Sequence, residues 1–111
     1  MVMILMTIVK TEKGGITMRK GLENVATSKR ASTSGNYHSE IVGSVRKLFL
    51  YHTCIGAFDT ETATAFADCR GWGTITTRIA VSGLQYWLAD RYDVVPFDEF
   101  AKAHPDIHFE E

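Results

Sequence analysis

The stretch from Leu48 to Leu88 constrains the fold of this chain more than any other. Two short apolar runs flank the polar turn Asp59-Thr60-Glu61-Thr62, and Trp72-Gly73-Thr74-Ile75-Thr76-Thr77-Arg78 then leads into a helical pattern. Leu48 to Phe58 is rich in β-branched and aromatic residues and reads as a strand, and Ala63 to Cys69 reads as the strand returning beside it. A turn at Thr60-Glu61 would set Ala57 opposite Thr64, Ile55 opposite Phe66 and Cys54 opposite Ala67. One face then carries Leu50, Cys54, Phe58, Ala63, Ala65 and Ala67, whose small alanines let a helix approach closely. The other carries Phe49, Tyr51, Ile55 and Phe66 and is too apolar to face water. The N-terminal arm, the C-terminal segment or a second subunit must cover it, which leaves a homodimer open.

A helix is expected next. Thr74 or Thr76 can cap it, the hydroxyl accepting from a free amide of the first turn. Ile75, Ile79, Leu84, Trp87 and Leu88 then recur at roughly helical spacing, and the helix should end near Tyr92. Gly83 costs a helix interior ~1 kcal/mol relative to Ala, which close packing on a strand would explain. Val94-Val95 suits a short edge strand. Pro96 then opens a short amphipathic helix with Phe97 and Phe100 three apart, Pro105 stops it, and the tail from Asp106 should be loose. Before the central block, residues 40 to about 45 read as another strand, with Arg46-Lys47 as the turn. The prediction is a single α+β domain over residues 40–111: a small antiparallel sheet of three to five strands, one main helix packed on it, and a short C-terminal helix. A chain of 111 residues has room for one such core.

Residues 1–39 read differently. Residues 2–9 are apolar and suit a short strand, but nine residues cannot cross a bilayer, which takes ~20. They have no positive leader region and no small-residue cleavage site, so they do not read as a signal peptide. Residues 19–39 are small and polar and offer few apolar groups to offset their ordering entropy. They read as a basic arm, with at most a short strand near Leu22 to Ala26. Met18 is a second candidate start, because Lys13-Gly14-Gly15 can be encoded by a purine-rich ribosome-binding sequence just upstream of it. Residues 1–17 would then be translated upstream sequence.

Charge divides the chain in the same way. Residues 1–47 hold eight Lys/Arg against three Asp/Glu, and residues 48–111 hold four against ten. The net charge of −1 favours no class of partner by itself. A basic arm on an acidic body can touch phosphates or dock on the chain's own acidic half. The two cysteines, Cys54 and Cys69, form no CxxC pair, so free thiols in a reducing cytoplasm are the default.

Four chemistries are open to these residues. His38, His52, Cys54 and Cys69 could ligate a metal, and the register above sets His52 opposite Cys69, but the spacing matches no zinc motif. Cys54 or Cys69 with His52, oriented by Asp68, could act as a thiolate–imidazole pair, and Asp59, Glu61 and Asp68 could pair as acid and base. Without a nucleophile elbow or protease signature, buried cysteines acting as small hydrophobes and solvated turn carboxylates are the simpler expectation. Arg70-Gly71-Trp72-Gly73-Thr74 could hold an anion at the helix start, with Arg78 adding charge, although it lacks the lysine of a phosphate loop. Arg19, Lys20, Lys29 and Arg30, with Tyr37 and His38 for stacking, could bind nucleic acid weakly; no sequence-reading motif accompanies them.

Leu50 to Ala80 resembles a family of small, largely uncharacterised proteins found in bacteriophage genomes. The matching residues are Tyr51, Thr53, Ile55 and Ala57, followed by Trp72, Thr74, Thr76, Thr77 and Arg78; Gly35 to His38 adds a Gly-Asn-Tyr-His element. Gly56 stands where the family often has Ala, and Ala80 where it often has His, so any role of that His is missing. The resemblance implies a phage or prophage origin and supports the Met18 start, but it implies no activity and no cofactor. The resulting expectation is a non-enzymatic accessory protein in the host cytoplasm that binds a host or phage protein. Weak nucleic-acid binding is the first alternative, and a small thiol or metal-dependent enzyme the second.

Overall fold

The structure is a computed structural model that describes residues 18–109. The strand expected over residues 2–9 lies outside the described residues. Three helices and six strands follow in the order α1 (Lys20–Thr27), β1 (Thr33–Ser34), β2 (Tyr37–Val42), β3 (Val45–Leu50), β4 (Thr53–Asp59), β5 (Thr64–Ala67), α2 (Ile75–Ala89), β6 (Asp93–Val94) and α3 (Phe97–Ala103). The α+β class is as expected. The sheet is larger than expected and mixed: its strands lie in sequence order, all neighbours antiparallel except β5 and β6.

The additional strands come from turns that fall at other positions than expected. The first turn falls at Gly43-Ser44, where Gly43 takes a positive φ of 60°, rather than at Arg46-Lys47. The expected long strand Leu48–Phe58 is in fact two strands. Leu50 pairs with Thr53 across a two-residue turn at Tyr51-His52. Such turns need a left-handed residue, usually Gly or Asn, and here Tyr51 supplies it at φ 57°.

The β4–β5 hairpin closes two residues away from the expected register. Asp59 pairs with Thr64 and Ala57 with Phe66, leaving residues 60–63 as the loop. A bulge then redistributes the faces. Leu48 pairs with Gly56 and Phe49 with Cys54, so Ile55 is an extra residue on β4. Ile55 consequently packs in the helix-side core, while Cys54 packs on the opposite face. Both assignments reverse the expectation.

Both α1 and α2 cover one face. Leu22, Val25 and Ala26 of α1 join Leu48, Leu50, Ile55 and Phe58, and Ala80, Val81, Leu84 and Leu88 of α2. The presumed polar arm is therefore part of the body: three apolar residues at i, i+3 and i+4 suffice to seat a two-turn helix. Arg46 fastens its C-terminal end, donating to the carbonyls of Val25 at 2.9 Å and Ala26 at 3.1 Å. Gly83 is buried in α2. The close approach of helix to sheet occurs at Gly56, where a Cβ would run into the side chain of Leu84.

The opposite face is covered by the C-terminal segment. Phe100 and Phe109 bury themselves against Val45, Phe49, Cys54, Ala57 and Phe66, with Phe97 and Ile107 at the margin. Phe66 meets Phe97, Phe100 and Phe109 at ring separations of 4.9, 5.2 and 5.8 Å. The tail is thus anchored as far as Phe109 rather than loose. The apolar face that suggested a homodimer is covered by the chain itself.

Candidate functional site

Two constructions in this fold bring polar or reactive groups together. One is a cleft beside the start of α2, and the other is a buried clasp beneath the C-terminal segment.

The cleft has a volume of about 430 Å³ and opens between the β3–β4 turn and the first turn of α2. Leu50 and Ile55 contribute apolar surface from the sheet, Tyr51, His52 and Thr53 line it from the turn, and Trp72, Thr74, Thr76 and Thr77 line it from the helix start. The bulge is what turns Ile55 into this space. Thr74 is the helix cap, accepting from the Thr77 amide at 3.2 Å and donating to the Thr77 hydroxyl at 2.9 Å. Thr76 is exposed and plays no part in the cap.

Large apolar surface remains open around this cleft. Tyr51 is 59% exposed, Trp72 58% and Ile75 74%. Ile79, also exposed, follows Ile75 by one helical turn on the same side. Tyr51 is nonetheless fixed in place. Its amide donates to the Asn36 carbonyl at 2.8 Å, and the Asn36 side-chain amide donates to its hydroxyl at 3.0 Å.

The clasp was not legible in the sequence. Asp59, at the end of β4, and His104, just after α3, meet at 2.8 Å and are both nearly buried. Asp59 also accepts from the Ser44 hydroxyl at 2.7 Å and the Glu61 amide at 2.8 Å. The other ring nitrogen of His104 lies 2.8 Å from the Phe100 carbonyl. A carbonyl and a carboxylate both only accept, so both nitrogens donate and the ring is an imidazolium. Burial alone would raise the Asp59 pKa, but hydrogen bonds from His104, Ser44 and the Glu61 and Thr62 amides outweigh it and hold the carboxyl well below its usual range. Burial would likewise lower the His104 pKa, but the bonds to Asp59 and the Phe100 carbonyl, with the charge of Asp59, raise it. With both nitrogens engaged, His104 has no basic site to offer a substrate. The arrangement ties three segments together and is structural.

The other candidate residues are scattered. Among the described residues, no three His, Cys, Asp or Glu side chains are placed to hold a metal. His52 lines the cleft on the helix side, and Cys69 packs on that same face. Cys54 is buried on the opposite face, where His38 stacks on Phe49 at 4.5 Å. Burial pushes the Cys54 thiol up to about 11, against weaker opposing effects from the Gly56 carbonyl and Arg70, so it is a protonated, unreactive thiol at neutral pH. The Cys54–His52 pair is therefore split by the sheet. The carboxylate grouping is also divided: Asp59 serves the clasp, while Asp68 accepts from the Arg70 amide.

Arg70 does not face the helix start. Its guanidinium lies 3.9 Å from the centre of the Phe97 ring and donates to the Cys54 carbonyl at 3.3 Å. Arg78 is exposed on α2, and Arg19, Lys20, Lys29 and Arg30 are exposed at the two ends of α1. Among the described residues of the first half, Arg46 is used internally on α1, and Lys47 on the His108 carbonyl at 2.7 Å and Glu40 at 3.1 Å. No protein-family model, curated protein or solved structure matches this chain. No helix among the described residues is long and apolar enough to cross a membrane.

The sequence motif and the cleft coincide. Tyr51, Thr53, Ile55, Trp72, Thr74, Thr76 and Thr77, read as two separate short motifs, line one cavity. Sequence reasoning read Thr74 and Thr76 as helix-start residues, for capping or for holding an anion, and had no means of closing the two motifs around a common space.

Proposed function

We propose that this chain is a non-catalytic binding protein that engages a protein partner at the cleft between the β3–β4 turn and α2. The observation that carries this reading is Tyr51. It holds a left-handed backbone conformation that costs a non-glycine residue ~1 kcal/mol. A glycine would fill the same turn without that cost. Instead the position carries a large aromatic ring, braced by Asn36 and largely open to solvent beside an apolar cavity. Local strain retained at an exposed aromatic residue fits recognition better than folding. Tyr and Trp are also the residue types that dominate interface energetics, and Trp72 stands on the opposite side of the cleft.

From the resemblance to small bacteriophage proteins we infer an accessory role in the host cytoplasm on a host or phage protein, through takeover of a host component or inhibition of a host defence. Affinity purification from the native host, comparing the natural chain with Trp72→Ala and Tyr51→Gly, tests it. A partner held by the natural chain and lost by both variants is expected. A partner held equally by all three would place the interface elsewhere.

A second reading rests on the cations that frame α1. Arg19, Lys20, Lys29 and Arg30 would bind phosphates weakly and without sequence preference, with affinity falling steeply as salt rises. Absence of a gel shift at low salt would remove it.

A further inference from the structure

We propose that the Asp59–His104 pair is a pH-operated latch on the C-terminal segment. Loss of the His104 proton frees residues 96–109 to lift from the sheet as a unit, while the sheet and its helix-side core stay folded.

The geometry makes the latch depend on one proton. The two ring nitrogens of His104 lie 2.8 Å from Asp59 Oδ2 and 2.8 Å from the Phe100 carbonyl, and both of those groups only accept. A neutral imidazole keeps a single N–H, so one nitrogen would then turn its lone pair on the carboxylate or on the carbonyl. Water would relieve that conflict at the surface, but the His104 side chain is only 10% exposed and that of Asp59 5%. Asp59 is the charge that acts on His104. Around the pair, the Ser44 hydroxyl and the Glu61 amide bind Asp59, and the Phe100 ring stacks on the imidazole at 4.3 Å. Glu61 of the hairpin loop, Lys102 of α3 and Asp106 beyond it are exposed, and Lys47 of β3 is taken up by Glu40 and the His108 carbonyl.

The sign follows from linkage. Once the segment has lifted, the ring is in water and titrates as an ordinary histidine, whereas the closed form holds its proton more tightly. Below the ordinary histidine value of about 6.5 both forms are charged and the latch is fully set. Raising the pH through the higher value of the closed form favours lifting.

The fold lets this segment part by itself. Helix α3 has seven residues, too few to hold a helix without docking. Phe100 and Phe109 belong to the cluster on one face of the sheet, while the helix-side cluster takes no described residue beyond Tyr92. Lifting therefore uncovers Val45, Phe49, Cys54, Ala57 and Phe66 and leaves the packing of α1 and α2 in place, the pattern of a local opening unit. Lys47 on the His108 carbonyl and Arg70 on the Phe97 ring also hold the segment. Histidine is the one of these three side-chain types that ordinarily titrates near neutrality, so the response to pH lies with His104.

The test is amide hydrogen exchange of the full chain, followed by NMR from about pH 6 to 9 and expressed relative to the intrinsic rate at each pH, with the His104 ring signal recorded on the same samples. Phe100, His104 and Ile107 report on the segment, since their amides bond to the carbonyls of Pro96, Ala101 and His104. Ala80 and Leu84 report on α2. Protection of the segment should fall at least about tenfold relative to α2 across this range, with the midpoint of the ring titration. In His104→Ala the segment should be as weakly protected at the acid end as the natural chain is at the alkaline end. In Asp59→Asn, whose amide can donate to a neutral ring, the fall with pH should disappear. Equal falls in the segment and in α2 would overturn the latch, because the whole fold would then be opening. So would a ring that keeps its proton throughout, or a fall of the same size in Asp59→Asn. Should His104→Ala not fold, the natural chain and Asp59→Asn decide the matter.

Discussion

The two faces of the sheet are finished in different ways. Beneath the C-terminal segment, four phenylalanines close on one another, and the polar atoms at the margin are matched by Asp59–His104 and by Lys47 with the His108 carbonyl. On the helix side, α1 and α2 cover most of the sheet but leave a cleft whose rim is aromatic and open. The residues at that rim, Tyr51, Trp72 and Ile75, make little sense as core and good sense as contact surface. One face should therefore respond to mutation through stability and the other through binding.

The largest effect is expected at Phe66, which contacts three other phenylalanine rings. Phe66→Ala removes the centre of that cluster and should cost about 3–5 kcal/mol in urea unfolding. A cost near zero would mean that the C-terminal segment does not seal this face in solution.

The clasp comes next. Asp59→Asn leaves a buried imidazolium without its anion and should cost about 3 kcal/mol near pH 5. The pH dependence has a definite sign at each end. The Asp59 pKa is lowered by folding, so its contribution is present above the ordinary carboxylate value of about 4 and is lost as pH falls below it. The His104 pKa is raised, so its contribution is complete below the ordinary histidine value of about 6.5 and is lost as pH rises through the raised one. The stability difference between the natural chain and Asp59→Asn should therefore be greatest between about pH 4 and 6.5 and shrink on both sides. A difference that is flat from pH 3 to 9 would show that the pair is not ionised as described.

A smaller and opposite effect is expected where the backbone is left-handed without a glycine. Ala63 and Tyr51 have nearly the same φ, 59° and 57°. Ala63→Gly relieves that strain at an exposed loop position and should gain up to ~1 kcal/mol. Tyr51→Gly relieves the same strain but loses the bond to Asn36, so thermal melts should show little net change. The pair separates strain that only shapes a turn from strain that holds a ring in place.

These positions also explain which parts of the fold could be read from the sequence. Local chemistry was informative: the Thr74 cap, the β4–β5 hairpin, the strand near Val94 and the helix after Pro96 are all present. The Tyr51-His52 turn was missed because a tyrosine in a left-handed conformation has no sequence signature. The helix α1 was missed because Leu22, Val25 and Ala26 are few, and their burial depends on a sheet formed later in the chain. The bulge at Ile55 broke the simple alternation and exchanged the faces of Ile55 and Cys54, taking the proposed metal cluster apart. Asp59 and His104 are 45 residues apart, and no local pattern links them. The cleft was half legible, since its residues were noticed but their meeting depends on that same bulge and turn.

The smallest stability effect is expected at Trp72, and it is the most informative about function. Its ring is more than half exposed, and its only described backbone bond is from its amide to the Cys69 carbonyl, which Ala would keep. Trp72→Ala should change stability by no more than about 0.5 kcal/mol, the ordinary range for a surface substitution. If the cleft is the docking site, the same variant should lose its partner, because truncating a central aromatic anchor typically costs ≥ 2 kcal/mol of binding, roughly thirtyfold or more in affinity. A measured loss of several kcal/mol in folding would instead place Trp72 in the core and dissolve the contrast between the two faces. Unchanged folding with unchanged partner binding would leave the contrast in architecture but move recognition away from this cleft.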